Sequence, residues 1–472
     1  MNVVIFVNGA VMLFTALLMA VNALLFAETA PSFSAAAALL GSIGAFTMIA
    51  TRGALGGFER LHGFLLTASV WLTAGLSAAL PLWLWGMSPA DAVFEAMSGI
   101  TTTGSTVMSG LEQTPRGILF WRALLQLLGG VGFVVTAMAL LPMLQVGGMQ
   151  LFRTESSDKG EKELRTAAGY ALATLGIYLG LVALAAATYW LGGMIPFDAI
   201  THAMTTLSTG GYSNYDASFG HFTSPFLQWS GTLFMLAGGL PFAWYIRIYT
   251  RRTFQSEQVR AFLVSVGAVI VVMTLWLSLS NEVPLGEALR RVAFNVVSVV
   301  TTTGYATEDY LTWGPVFAVA FFLLTPVGGC TGSTAGGAKA MRWLILMRAV
   351  RDRVRAIHMP HGVFVTRYEG RPVSDDVLAG VVSFFYFYVL TVGVIAVALD
   401  FLGLDTLTAL SASLTAVANV GPGVGDVVGP AGNFATLPDS AKSVLVFAMY
   451  AGRLEMLTLF VLFTPTYWRA LA

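Results

Sequence analysis

The chain has 472 residues, of which 56% are hydrophobic and 11% charged, with acids and bases in balance and a mean hydropathy of +0.75. That excludes a soluble globule of this size, and the zero net charge gives no ground for a nucleic-acid face. The single cysteine, Cys330, excludes an intrachain disulfide and any CxxC metal or redox site.

A helix needs about 20 apolar residues to cross ~30 Å of hydrocarbon. Ten stretches approach or exceed that length: 3–26, 33–50, 62–85, 118–146, 167–191, 225–248, 260–280, 313–347, 377–400 and 441–465. The second is short, and the eighth is broken by Pro326 and a cluster of glycines. The first is followed by Ala27-Glu28-Thr29-Ala30, small residues of the kind that mark a signal-peptide cleavage point. No Lys or Arg precedes it, so a retained span is expected. Of the 25 Lys and Arg residues, 19 fall in 52–60, 153–165, 247–260, 339–355, 367–371 and at Arg469, which alternate spans put on one side. By the positive-inside rule that side is the cytoplasm, and both termini join it. A basic stretch such as Arg342 to Arg355 is then a topogenic and headgroup anchor rather than a nucleic-acid patch.

Four segments on the opposite side repeat one pattern: a short helical stretch opened by an acid, then Thr- or Asn-containing residues, then a glycine. They are Asp91 to Ile100 with Thr101-Thr102-Thr103-Gly104-Ser105, and Asp198 to Leu207 with Ser208-Thr209-Gly210-Gly211-Tyr212. The third runs from Glu287 through Val300 to Thr301-Thr302-Thr303-Gly304-Tyr305, and the fourth from Asp405 through Val417 to Ala418-Asn419-Val420-Gly421-Pro422. The aligned glycines Gly104, Gly211, Gly304 and Gly421 are 107, 93 and 117 residues apart, and the first two spans stand outside the repeat. The fold expected is an all-α polytopic membrane protein: four helix, pore-loop, helix repeats around a central pore, plus two N-terminal helices. The repeats divide the chain at 1–58, 59–152, 153–252, 253–360 and 361–472.

Non-helical backbone at membrane depth is tolerated where it lines a cavity or is buried in protein. A ring of backbone carbonyls replaces a cation's water without fixed charge that would hold the ion too tightly. Glycine supplies the φ > 0 that inward-turned carbonyls require, and each short helix aims the negative end of its dipole at the cavity. Thr209-Gly210-Gly211-Tyr212 and Thr302-Thr303-Gly304-Tyr305 echo the Thr-Val-Gly-Tyr core of K+ channel filters. The other two loops depart from it, so weaker K+/Na+ discrimination is expected than in a tetrameric channel. The candidate K+ filter comprises Thr102, Thr103, Gly104, Thr209, Gly210, Gly211, Thr302, Thr303, Gly304, Asn419, Val420 and Gly421.

Two further features lie below these loops. The run Thr325-Pro326-Val327-Gly328-Gly329-Cys330-Thr331-Gly332-Ser333-Thr334-Ala335-Gly336-Gly337 cannot hold a straight helix and reads as a flexible intramembrane loop. It is no phosphate-binding P-loop, because Lys339 follows Gly337 by two with no Ser or Thr after it. Arg453 is a cation at membrane depth, where charges face a cavity or a partner. Its readings are an ion pair with Glu455 or a neighbouring helix, and a positive barrier on the pore axis. The five histidines have no metal-ligand spacing with cysteine or a carboxylate pair, and His202 reads as packing behind the second loop.

Over nearly its whole length the chain resembles the TrkH/TrkG subunit of bacterial K+ uptake systems, in the Trk/Ktr/HKT superfamily. The resemblance rests on Ser98-Gly99-Ile100-Thr101-Thr102-Thr103-Gly104, Leu141-Pro142-Met143, Val146-Gly147-Gly148-Met149-Gln150, the three later loops, Gly328 to Lys339, and Gly452-Arg453-Leu454-Glu455. It implies K+ uptake across the bacterial cytoplasmic (inner) membrane, a homodimer with a pore in each subunit, and a cytosolic nucleotide-binding TrkA-type regulator. It also implies that Gly328 to Gly337 gate conduction, with Arg453 as the barrier against which they close. K+ is the only ligand implied, with no organic cofactor on this chain. Serine at the first filter glycine accompanies Na+ selectivity in plant relatives, and Gly104 stands there instead. Na+ or mixed cation transport, with or without H+ coupling, stays open. A broken-helix Na+-solute symporter would need two inverted halves rather than four like-oriented loops. An intramembrane enzyme would need a nucleophile with a base or a chelating cluster such as HExxH, and neither is present.

Overall fold

The computed structural model of the chain describes residues 2–54, 60–139 and 167–471. The motifs at Leu141 to Gln150, the basic segment 153–165 and the divisions at 58/59 and 152/153 lie outside these residues. In hydrocarbon every backbone polar group must find a partner within the protein, so long apolar runs become helix. Helices α1 (Asn2–Leu25) and α2 (Ala30–Thr51) pack on each other as a hairpin. Small residues let them approach closely: a Cβ on Gly44 would stand 2.8 Å from the Gly9 carbonyl oxygen.

The first repeat is α3 (Arg60–Trp85), a short α4 (Pro89–Ile100) and α5 (Arg116–Ala139). The second is α6 (Ala167–Leu191), a short α7 (Pro196–Leu207), α8 (Pro225–Gly239) and α9 (Phe242–Arg251). The third is α10 (Glu257–Asn281), a short α11 (Leu285–Val300), α12 (Pro315–Leu324) and α13 (Ala340–His358). A two-stranded antiparallel hairpin, β1 (Arg367–Tyr368) with β2 (Arg371–Pro372), leads to the fourth. That repeat is α14 (Asp375–Phe401), a short α15 (Thr406–Ala418), α16 (Asp439–Arg453), α17 (Leu457–Leu462) and α18 (Pro465–Leu471).

Among the described residues α1, α2, α3, α6, α10 and α14 are each long and apolar enough to cross a bilayer. Their outward faces carry exposed Leu, Val and Phe, as a lipid-facing surface does. Two expected spans are corrected. The stretch 225–248 is two helices, because Pro241 has no N–H and Leu240 turns extended after Gly239. The stretch 441–465 breaks after Arg453, where Glu455 and Met456 take left-handed φ of 59° and 42°.

Each short helix packs on the first helix of its own repeat: α3 with α4, α6 with α7, α10 with α11, α14 with α15. The closing helix of one repeat then packs on the short helix of the next, as α5 does on α7, α8 on α11 and, closing the circle, α16 on α4. Between the third and fourth repeats the seam is formed by the broken segment, with α13 against α14. At the outer edge Lys442 of α16 pairs with Asp91 of α4 at 2.6 Å.

The acids that open the short helices have four different roles. Only Asp405 is an N-cap, accepting the Thr408 N–H at 3.0 Å; hydrogen bonds from the Thr408 hydroxyl and N–H hold its carboxyl below the usual carboxylate range. Asp91 lies inside the first turn behind the Ser88 cap. Asp198 is buried and accepts from Asn214 and Tyr215, and Glu287 pairs with Arg291.

Candidate functional site

Each short helix ends in the same hydrogen-bonded turn. Thr102 N donates to Gly99 O at 3.0 Å and Thr103 N to Ser98 O at 2.9 Å. Thr209 and Gly210 do the same to Thr206 and Thr205, Thr302 and Thr303 to Val299 and Ser298, and Asn419 and Val420 to Ala416 and Thr415. This is the Schellman ending, whose pivot sits in the left-handed region and is normally glycine. Here the pivots are Thr102, Thr209, Thr302 and Asn419, with φ of 54°, 52°, 58° and 56°. A β-branched residue there carries strain on the order of 1 kcal/mol or more. Two residues on, Gly104, Gly211, Gly304 and Gly421 take positive φ of 82°, 75°, 81° and 108°. The sequence reading placed φ > 0 at the glycines and missed the pivots, whose signal is the Thr, Thr, Thr, Asn column two positions earlier.

The four triplets meet. A Cβ on Gly104 would stand 2.1 Å from Gly210 O, one on Gly211 1.9 Å from Thr303 O, one on Gly304 1.9 Å from Val420 O, and one on Gly421 2.8 Å from Thr103 O. Each glycine therefore faces the carbonyl that precedes the next repeat's glycine, and the contacts close a ring in chain order. All four glycines line one outward-opening vestibule of about 270 Å³.

The residue after three of the glycines ties the ring to the preceding repeat. Tyr212 OH donates to Glu95 O at 2.8 Å, the Tyr305 hydroxyl contacts Thr205 Oγ1, and Ser105 Oγ donates to Gly421 O at 3.0 Å. Pro422 has no side-chain donor for this.

Nine positions before each glycine stand Glu95, His202, Asn295 and Ala412. The first three hold their own outgoing loops. Glu95 accepts from Thr106 and Val107 N, each at 3.0 Å, and pairs with buried Arg122 at 2.8 Å. Arg122 also donates to Ser213 O at 2.9 Å and lies 4.1 Å from the centre of the Tyr212 ring. His202 bridges Asp198 O and Ser213 Oγ, the packing role expected of it, and Asn295 binds Thr307. Sequence reasoning missed Glu95, Arg122 and Asn295, although a polar residue at one register of a buried helix was the available signal.

The run Gly328 to Gly337 docks directly beneath this ring. It enters where the second repeat's inner helix breaks, and it satisfies the carbonyls freed there. Cys330 N donates to Gly239 O at 2.9 Å, Thr334 N to Gly238 O at 3.3 Å, and Phe242 N to Gly332 O at 2.9 Å. The Thr334 hydroxyl sits 2.9 Å from Leu207 O, Gly336 N donates to Thr302 Oγ1 at 2.7 Å, and Gly337 N to Ala418 O at 2.9 Å. The loop thus touches the base of the second, third and fourth triplets. Gly336 is a close-approach glycine, since a Cβ there would stand 2.4 Å from Ala418 O.

Arg453 completes the circle: Nη1 donates to Thr334 O and Nη2 to Gly129 O of α5, both at 3.1 Å. Glu455 pairs with Arg342 of α13, which lies 3.8 Å from the centre of the Phe384 ring. Lys339 donates to Ala335 O within the loop. All the predicted filter and gate residues are therefore gathered at one place. The loop and Arg453 lie on one side of it and the vestibule on the other.

Fold and ring together define a polytopic membrane protein made of four like-oriented re-entrant repeats. A family model described as TrkH, cation transport protein, matches residues 29–470. The chain is 51% identical over 412 residues to the Trk system potassium uptake protein TrkI of Halomonas elongata, covering 86% of this chain and 84% of that one. It is 35% identical over 440 residues to the Trk system potassium uptake protein TrkH of Escherichia coli K12, covering 91% and 90%. The crystal structure of the potassium transporter TrkH from Vibrio parahaemolyticus superposes with a TM-score of 0.90 at 32% identity, covering 99% of each chain. The chain belongs to the TrkH family of cation transport proteins.

Proposed function

We propose that this chain carries K+ into a bacterium across the cytoplasmic membrane, through the ring formed by Thr102 to Gly104, Thr209 to Gly211, Thr302 to Gly304 and Asn419 to Gly421. The closed set of glycine-to-carbonyl contacts carries this reading. Carbonyls of Thr103, Gly210, Thr303 and Val420 stand in for the ion's hydration shell, with no fixed charge in the ring itself. Relatives named as potassium uptake proteins, and Gly104 where serine would signal Na+, support K+ as the cargo.

The repeats are taken to divide at 59–152, 153–252, 253–360 and 361–472 after a two-helix segment 1–58, with ten spans and both termini cytoplasmic. Gly328 to Gly337 and Arg453 form the gate: hydrogen bonds to the ring's base hold the loop closed, and the guanidinium repels an ion leaving the filter. Opening breaks those bonds. In this reading a cytosolic TrkA-type nucleotide-binding subunit drives the opening, and two copies of the chain form a homodimer.

The test is growth of a K+-uptake-deficient bacterium at low external K+. The wild-type chain should rescue growth, and Gly104→Ser and Gly304→Asp should not. Rescue by Gly304→Asp equal to wild type would refute the filter assignment.

A further inference from the structure

In three triplets the residue before the glycine brings its own side chain, Thr103, Thr303 or Val420. In the second it is Gly210, whose φ is not in the left-handed region, so conformation does not explain the glycine. Space does. A Cβ on Gly210 would stand 2.3 Å from Cδ of Gln126 and 2.4 Å from its Oε1. Gln126 comes from α5 of the first repeat, is fully buried, and occupies the slot that a side chain at 210 would fill.

Its amide bonds the ring itself. Nε2 donates to Gly210 O at 2.6 Å, and Oε1 accepts from Tyr212 N at 3.0 Å, which fixes the amide orientation from both sides. The clamp spans Gly211. Threonines do a different job in the neighbouring triplets: Thr103 and Thr303 bond Thr101 and Thr301 through hydroxyls at 2.8 Å and leave their carbonyls alone. Of the four carbonyls that precede the ring glycines, those of Thr103, Gly210, Thr303 and Val420, Gly210 O is the one that accepts from a side chain among the described residues; Ser105 binds the Gly421 carbonyl one residue further on.

We infer that Gln126 is a selectivity-setting positioning residue for the ring, an inference that rests on the filter reading above. Its N–H draws on the Gly210 oxygen's lone-pair density and fixes the direction of that carbonyl. The oxygen then offers a passing cation a weaker field at a fixed distance. A weaker field favours the ion with the smaller dehydration cost, K+ over Na+. Free of the clamp, the carbonyl turns further toward the ion and binds the smaller cation better.

The experiment measures the Na+/K+ permeability ratio of the purified full-length chain in liposomes, from reversal potentials, for three variants. Gln126→Met keeps length and apolar bulk but loses both hydrogen bonds. The expected result is a ratio raised about fivefold to tenfold, the worth of one such bond. Gln126→Leu, shorter and branched, removes the same donor and acceptor with a side chain that cannot regain either bond by protonation. It should raise the ratio by at least as much, and it decides the matter if the Met variant does not fold. The third variant, Gly304→Asp, checks the filter reading separately. A wild-type ratio in a well-folded Gln126 variant, with flux abolished or the ratio altered by Gly304→Asp, overturns the role of Gln126 and leaves the filter standing. A ratio indifferent to all three overturns both.

Discussion

Replacing Gly304 by Ala tests the ring at one of its tightest contacts. The new Cβ would stand 1.9 Å from Val420 O, about 1.5 Å short of the 3.4 Å at which van der Waals contact becomes ordinary. That neighbour is backbone, bonded by its own N–H to Thr415 O, so it cannot swing away like a flexible side chain. The φ of 81° adds roughly 1–2 kcal/mol for a residue with a Cβ. Since about 1.4 kcal/mol is a factor of ten in an equilibrium, the strain alone reduces the ring conformation about tenfold, and the clash reduces it further. Rb+ uptake into liposomes should therefore fall at least tenfold. Gly180→Ala is the control, because nothing lies within 4 Å of a Cβ at that position in α6. Wild-type uptake by a monodisperse Gly304→Ala protein would refute the argument that these glycines are packed against ring carbonyls.

Three further predictions concern the loop and its supports. Arg453→Ala removes two hydrogen bonds and a cation from beneath the ring, and K+ flux through the isolated subunit should rise severalfold; unchanged flux in a folded variant counts against the barrier. Thr302→Val keeps the shape but loses the acceptor for Gly336 N, so flux through the isolated subunit should rise by a smaller factor, read in the same liposomes. Arg342 and Glu455 are a buried pair with side chains 0% and 4% exposed, so Glu455→Gln should destabilise by about 3–5 kcal/mol and lower the melting temperature of the detergent-solubilised protein. Replacing both by Met should recover much of that loss, and equal loss in single and double variants would deny the pairing.

The fourfold architecture was legible because it is written in register. Four glycines follow four short amphipathic stretches at nearly constant spacing, and a period of that kind survives even where Thr becomes Asn or Tyr becomes Pro. The broken eighth span was legible for a different reason, since glycines at that density cannot remain helical. The break after Gly239 is marked in the sequence by Pro241 alone, within a run that is otherwise apolar enough to read as one span. It matters because the carbonyls of Gly238 and Gly239, released there, are the dock for Cys330 and Thr334.

The tertiary partners were not legible. Nothing local tells that Arg122 belongs to Glu95, that Glu455 belongs to Arg342 rather than Arg453, or that Gln126 fills the place of a side chain missing at 210. Those pairings depend on how the repeats turn about one another, which spacing along a chain does not encode. The left-handed threonines were hidden by propensity itself, because a β-branched residue is the last choice for that conformation and persists only where the surroundings impose it.

The most direct measurement is anomalous diffraction from crystals of this protein grown with Tl+ in place of K+. A Tl+ peak is expected within the carbonyls of Thr103, Gly210, Thr303 and Val420, between the vestibule and the docked loop. Tl+ bound elsewhere, with none inside that ring, would contradict the filter assignment.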